Sequence, residues 1–300
     1  MNLSELQITQ LIDQARSFVR EERYLHALQC YRRLLIDDPT CLSAYRELAA
    51  LYGEMDLPDA AVSLLEGAER AMPGCPDVTF LLAMRHLESG AFDRAIERLR
   101  TLADRRLPQV HFQLGVAHFY QEDLATAEAE FRTALALDPH FPRINESIGE
   151  LLLERGEVSE AIEFLRRGID IDPYSAVSHS LLGNAFGELG RWTEAHDEFI
   201  LALDMDPTEA QHWQAVGESM LHQRRSAEAE PYLRKARDLD PSSVDIMLAL
   251  CKALLMKGDR VEARELRSLA FSLDPAHARA GEVRWRIRHA ASHRSHGGRR

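Results

Sequence analysis

The chain has 300 residues, 45% hydrophobic and 28% charged, with a formal net charge of −12; that acidic balance argues against a general nucleic-acid binder, which needs basic surface to neutralise phosphates. Its apolar runs, such as Val78–Met84 (VTFLLAM), are far too short to cross a membrane, and MNLSELQITQ has no basic segment leading into an apolar stretch, so a cytoplasmic location is expected. Cys30, Cys41, Cys75 and Cys251 form no CxxC pair, which argues against a zinc or redox site.

In chain order, the sequence is a succession of helical pairs built from strong helix formers. The first is marked by Ala15, Ala27 and Pro39, each twelve residues after the last, and the second repeats it with Ala49, Ala61, Ala68 and Pro73. The third keeps Ala83, Ala95 and Leu99 but is only 32 residues long and closes on DRRLP, which predicts an irregularity near Asp104–Pro108. The fourth has Gly115, Ala127, Ala134 and Pro139; the fifth, Gly149, Ala161, Gly168 and Pro173; the sixth, Gly183, Ala195, Ala202 and Pro207. The seventh has Gly217, Ala229, Ala236 and Pro241, with Pro231 inside its second helix, and the eighth has Cys251, Ala263, Ala270 and Pro275. From Pro139 onward the prolines recur every 34 residues. Small residues at fixed helical positions let helices approach closely, and large ones three, four or seven positions away fill the space beside them. Gly156, Gly190 and Gly258 fall where a short turn joins two antiparallel helices, and each proline ends the second helix.

This pattern resembles the tetratricopeptide repeat, which has a 34-residue period with Leu-Gly, Ala, an aromatic, Ala and Pro at set places. The sixth repeat carries Leu182-Gly183, Phe186, Ala195, Phe199, Ala202 and Pro207; the fourth carries Leu114-Gly115, Ala127, Phe131, Ala134 and Pro139. The resemblance implies an all-α fold, a right-handed α-solenoid of about eight helix-turn-helix repeats starting near residues 8, 42, 76, 108, 142, 176, 210 and 244. The array is assigned to residues 1–277, a capping helix to 278–291 and a disordered basic tail to 292–300. Residues 278–300 hold seven arginines against Glu282 alone, a charge of +6 that leaves −18 on the rest.

At 100° per residue, repeat positions 4, 7, 8 and 11 share one face of the first helix, and positions 2, 5, 9 and 12 lie well away from it. The first set packs between helices; the second is left for a partner in a concave groove. Around the third and fourth repeats the groove reading takes Phe80, Met84, Leu87, Phe112, Val116, Phe119 and Tyr120. In the fifth to seventh it takes Glu146, Glu150, Glu154, Asn184, Glu188, Gln214, Glu218 and His222, with Ser180. An apolar half beside an acidic half suits a peptide or protein segment with an apolar anchor and basic residues. The carboxylate clamp of chaperone-binding members of the family and the asparagine ladder of its sugar-transferase members are both missing.

Catalytic signatures are absent: there is no GxxxxGK[ST] loop and no GxSxG elbow, and the glycines of GNAFGELG fall within a repeat helix and its turn. His111 and His118 occupy packing positions, and His289, His293 and His296 are read as part of a solvated tail rather than a metal site. No cofactor and no metal are expected. The expected function is a non-enzymatic scaffold or adaptor with a protein or peptide partner, without nucleic-acid binding or membrane insertion. The alternative is self-assembly into a homo-oligomer, with the basic segment of one copy in the acidic groove of another.

Overall fold

The computed structural model of the protein describes residues 5–277 and 279. Among the described residues are sixteen α-helices and a single turn of 3-10 helix. They fall into two compact units, residues 1–144 and 145–300.

Unit 1 holds α1 (Glu5–Arg20), α2 (Tyr24–Asp37), α3 (Leu42–Glu54), α4 (Pro58–Ala71), α5 (Pro76–Glu88), α6 (Phe92–Arg100), α7 (Pro108–Tyr120) and α8 (Leu124–Leu137). Consecutive helices pair and each pair packs on the next, with Ala27, Ala61, Ala95 and Ala127 buried on the second helices. The shortened third repeat has a nine-residue α6, then the 3-10 turn Ala103–Arg105 and Arg106 at φ +52°. Two fewer residues leave no room for a full second helix, and the chain tightens before Pro108 starts α7.

Unit 2 holds α9 (Ile144–Glu154, whose first residue closes unit 1), α10 (Val158–Ile171), α11 (Ala176–Glu188), α12 (Trp192–Met205), α13 (Ala210–His222), α14 (Ser226–Leu239), α15 (Val244–Lys257) and α16 (Arg260–Leu273). Its core runs through Leu165, Leu182, Phe186, Phe199, Val216, Leu233 and Leu250. The small residue of each first helix sits under the large residue of the second. A Cβ added to Gly183 would meet the Phe199 ring at 2.5 Å, and one added to Gly217 would meet Leu233 at 2.6 Å. α14 continues through Pro231 as one helix.

All eight turns within the pairs use one left-handed residue at the same place: Glu22, Asp56, Gly90, Glu122, Gly156, Gly190, Arg224 and Gly258, with φ between +56° and +96°. Half are not glycine, so composition alone reveals only part of this rule. In six of the eight repeats the turn after the second helix uses the aspartate that precedes the proline. Asp38, Asp138, Asp172 and Asp274 are extended, as residues before proline prefer, and Asp206 and Asp240 lie just outside that region. Each then accepts the backbone N–H two residues on through Oδ1, at 2.9–3.1 Å. Proline bars the helix from continuing, and the carboxylate holds the turn that follows.

α1 is described from Glu5, and α9 begins at Ile144, after a turn at Pro142 and Arg143 (φ +63°). The capping helix assigned to 278–291, the tail at 292–300 and His289, His293 and His296 lie outside the described residues, apart from residue 279.

Candidate binding grooves

Helices α9, α11, α13 and α15, the first of each pair in unit 2, line a groove of about 1110 Å³. Position 4 of these helices faces inward and ties the pairs together. His179 Nδ1–H donates to Glu198 Oε2 at 2.7 Å, and Trp213 Nε1–H donates to the Pro207 carbonyl at 2.8 Å. In unit 1 His111 makes the same bond to Glu130, also at 2.7 Å, so this histidine is a strut of the repeat.

With position 4 turned inward, the groove wall carries Glu150, Glu154, Ser180, Asn184, Glu188, Gln214, Glu218 and His222. Leu153, Leu181, Phe199, Ala215 and Ile246 supply its apolar parts, and among the described residues no lysine or arginine lines it. Gln214 Nε2–H donates to Glu218 Oε1 at 3.0 Å, which orients that carboxylate. Trp192, from the start of α12, stacks on His222 with ring centroids 3.6 Å apart. Asp240 stands at one end, its carboxyl held below the usual range chiefly by the Ser242 hydroxyl.

Glu146 corrects the expected set. It is only 7% exposed and accepts hydrogen bonds from Ser178 Oγ (2.8 Å) and Ser175 Oγ (3.3 Å). Those hydroxyls come from the next repeat, so Glu146 joins α9 to α11 and is spent on stacking. Gln211, Asp245, Trp192 and Ile246 line the groove and were not among the expected residues. Gln211 and Asp245 stand at position 2 of their repeats, so the same helical rule reaches them; Trp192 lies on a second helix, outside that rule.

The apolar set lies in unit 1. Phe80 and Leu87 pack on the core of Ala83, Leu99, Val110 and Leu114. Phe112 has its ring centroid 5.6 Å from Phe131 and 5.2 Å from Phe141. These three are engaged in packing and correct the expectation of an open apolar face. Met84, Val116 and Phe119 are half-buried, and Tyr120 is exposed and stacked on Phe92 at 5.4 Å.

Family comparison agrees with this geometry. A family model described as "Tetratricopeptide repeat" matches residues 112–176 and 180–244, and a second of the same description matches 220–283. The chain belongs to the tetratricopeptide repeat family. Comparison with curated proteins finds no match. Among solved structures, this tetratricopeptide repeat protein is similar to a chain of the APC/C hetero-tetramer Cut9-Hcn1, at 17% identity and a TM-score of 0.67, covering 84% of this chain and 49% of that one. It thus spans about half the length of that neighbour. It is also similar to a tetratricopeptide repeat protein from Parabacteroides merdae (15% identity, TM-score 0.65, 82% of this chain and 98% of that one). A third is PilW, a widely conserved type IV pilus biogenesis factor (17%, 0.61, 67% and 94%). At these identities the likeness is one of fold.

The fold is typical of protein–protein interaction scaffolds, and tetratricopeptide repeat proteins generally bind protein partners and are generally non-catalytic. Among the described residues no group of three His, Cys, Asp or Glu is placed to hold a metal, and no helix is long and apolar enough to cross a membrane.

Proposed function

We propose that this tetratricopeptide repeat protein is a non-catalytic scaffold or adaptor, and that the groove of unit 2 takes an extended segment carrying basic residues beside an apolar anchor. The observation that carries this reading is the lining itself: Glu150, Glu154, Glu188 and Glu218 beside Leu153 and Leu181, with no basic side chain among them. Carboxylates on a wet rim act mainly on encounter rate and orientation, while apolar contact supplies the stay. In unit 1, Met84, Val116, Phe119 and Tyr120 form a second, smaller contact surface.

Fluorescence polarisation with a labelled peptide alternating Arg and Leu tests the groove. Glu188→Arg/Glu218→Arg should weaken binding by about tenfold or more, and raised salt should weaken the wild type more than the variant. Equal affinity of wild type and variant rejects the reading. A second reading has the basic segment 278–300 of one copy in the groove of another, which the opposite charges of segment and groove favour. It requires a sedimentation mass that rises with concentration.

A further inference from the structure

The groove of unit 2 ends where the chain leaves its last helical pair. Asp245, in the first turn of α15, lines the groove, and His277 Nε2–H donates to Asp245 Oδ2 at 2.9 Å. The chain from residue 278 onward therefore starts at the groove's rim. That stretch carries the +6 charge, and its middle reads Val283-Arg284-Trp285-Arg286-Ile287-Arg288. In an extended chain such alternation puts the three arginines on one side and the three apolar residues on the other. The groove offers the matching pair, a set of carboxylates beside the half-buried Leu153, Leu181 and Trp192.

We infer that the basic segment 278–300 occupies the acidic groove of its own molecule and must be displaced by any external partner. The inference rests on the groove reading proposed above and names its resident occupant. Reach is sufficient: residues 284 to 288 extend roughly 23 to 36 Å from His277 at ~3.3 Å per residue, and the groove crosses four helices packed ~8–10 Å apart. Tethering favours the same molecule over a second copy, because a short tether supplies an effective concentration of ~1 mM. With a Kd of ~100 µM for the free segment, the groove is filled about ten times as often as empty, so external segments bind about tenfold more weakly.

The test uses the full chain with two labelled probes: a peptide of residues 279–291 and an unrelated peptide alternating Arg and Leu. Both should bind Arg284→Glu/Arg286→Glu/Arg288→Glu about tenfold more tightly than wild type. Adding Glu188→Arg/Glu218→Arg should abolish that gain. The Arg→Gln triple variant at the same positions, a milder change, should give the same order of affinities. Equal affinity of wild type and both triple variants, with binding still dependent on Glu188 and Glu218, overturns the resident occupant and leaves the groove reading intact. Binding of neither probe, or binding indifferent to Glu188 and Glu218, overturns both. Sedimentation should give a monomer mass from low to high micromolar concentration. A mass that rises in wild type and not in the triple variants assigns the segment to a second copy and overturns the inference.

Discussion

Two glycines in helices predict opposite outcomes from the same substitution. Gly183 lies under the buried Phe199 ring, so Gly183→Ala forces a Cβ to within 2.5 Å of it. Relieving that overlap means displacing a ring that is only 5% exposed, and we expect a loss of about 1–3 kcal/mol. Gly67 in α4 has open space at its Cβ, with only the Arg70 guanidinium 4.0 Å away. Gly67→Ala should therefore stabilise by about 0.5–1 kcal/mol, because alanine loses less backbone entropy in a helix. Urea unfolding of both variants checks the pair; equal signs would reject the packing argument. Burial, aided by Arg94 and Arg98 and opposed by Glu66, pushes the His86 imidazole below its ordinary range. Below a pH of about 6.5 the unfolded chain takes up the proton first, so stability falls as pH falls until the folded pKa is passed. The slope from this one group is at most about 1.4 kcal/mol per pH unit, and His86→Leu should flatten the curve between neutral and mildly acid pH. An unchanged slope in that variant would remove His86 as a cause.

The turns between helical pairs predict where the elements are held. The Asp206 backbone N–H bonds to the Ala202 carbonyl, and its Oδ1 accepts from the Thr208 backbone (3.1 Å) and hydroxyl (2.6 Å). Asp206→Ala removes those acceptors and should cost about 1 kcal/mol, whereas Asp206→Asn keeps the oxygen and should cost less. Thermal unfolding separates the two; a larger loss for Asn would show that charge, not the turn, matters. The recurrent ending is plain in the sequence, and the second helix stops two residues before its proline at Pro139, Pro173, Pro207 and Pro241. The aspartate's work is not plain there, because the group it satisfies lies past the proline, in a stretch with no periodic signal. Likewise Gly156, Gly190 and Gly258 announce the turn within a pair, while Glu22, Asp56, Glu122 and Arg224 adopt the same conformation unannounced. Their neighbours fix the two helices they join, and that outweighs the roughly 1–2 kcal/mol that a side chain costs there.

At the scale of the molecule, the substantial helix contacts fall between elements one or two places apart in the chain. Stability in such a stack is close to a sum of local terms. Gly183→Ala should therefore speed amide hydrogen exchange in α11 and α12 and in the flanking α10 and α13, and leave α1 to α3 unchanged. Faster exchange throughout would mean that the whole chain opens as one cooperative body.

By itself, the sequence determined the helical pairing, the positions of the small residues and their large partners, and the acidic cast of the later repeats. Those are set by spacing along one helix, and spacing is visible in one dimension. Tertiary structure decided which side chains are left over. Glu146 and Glu188 look alike in the sequence, yet Glu146 is held by Ser175 and Ser178, while Glu188 faces the groove. Phe112 looks like an open contact until Phe131 and Phe141 come to it. In each case the deciding partners lie between 19 and 32 residues away. The period names the face that meets the next helix, but only three-dimensional packing settles which atoms on it are satisfied and which remain for a partner.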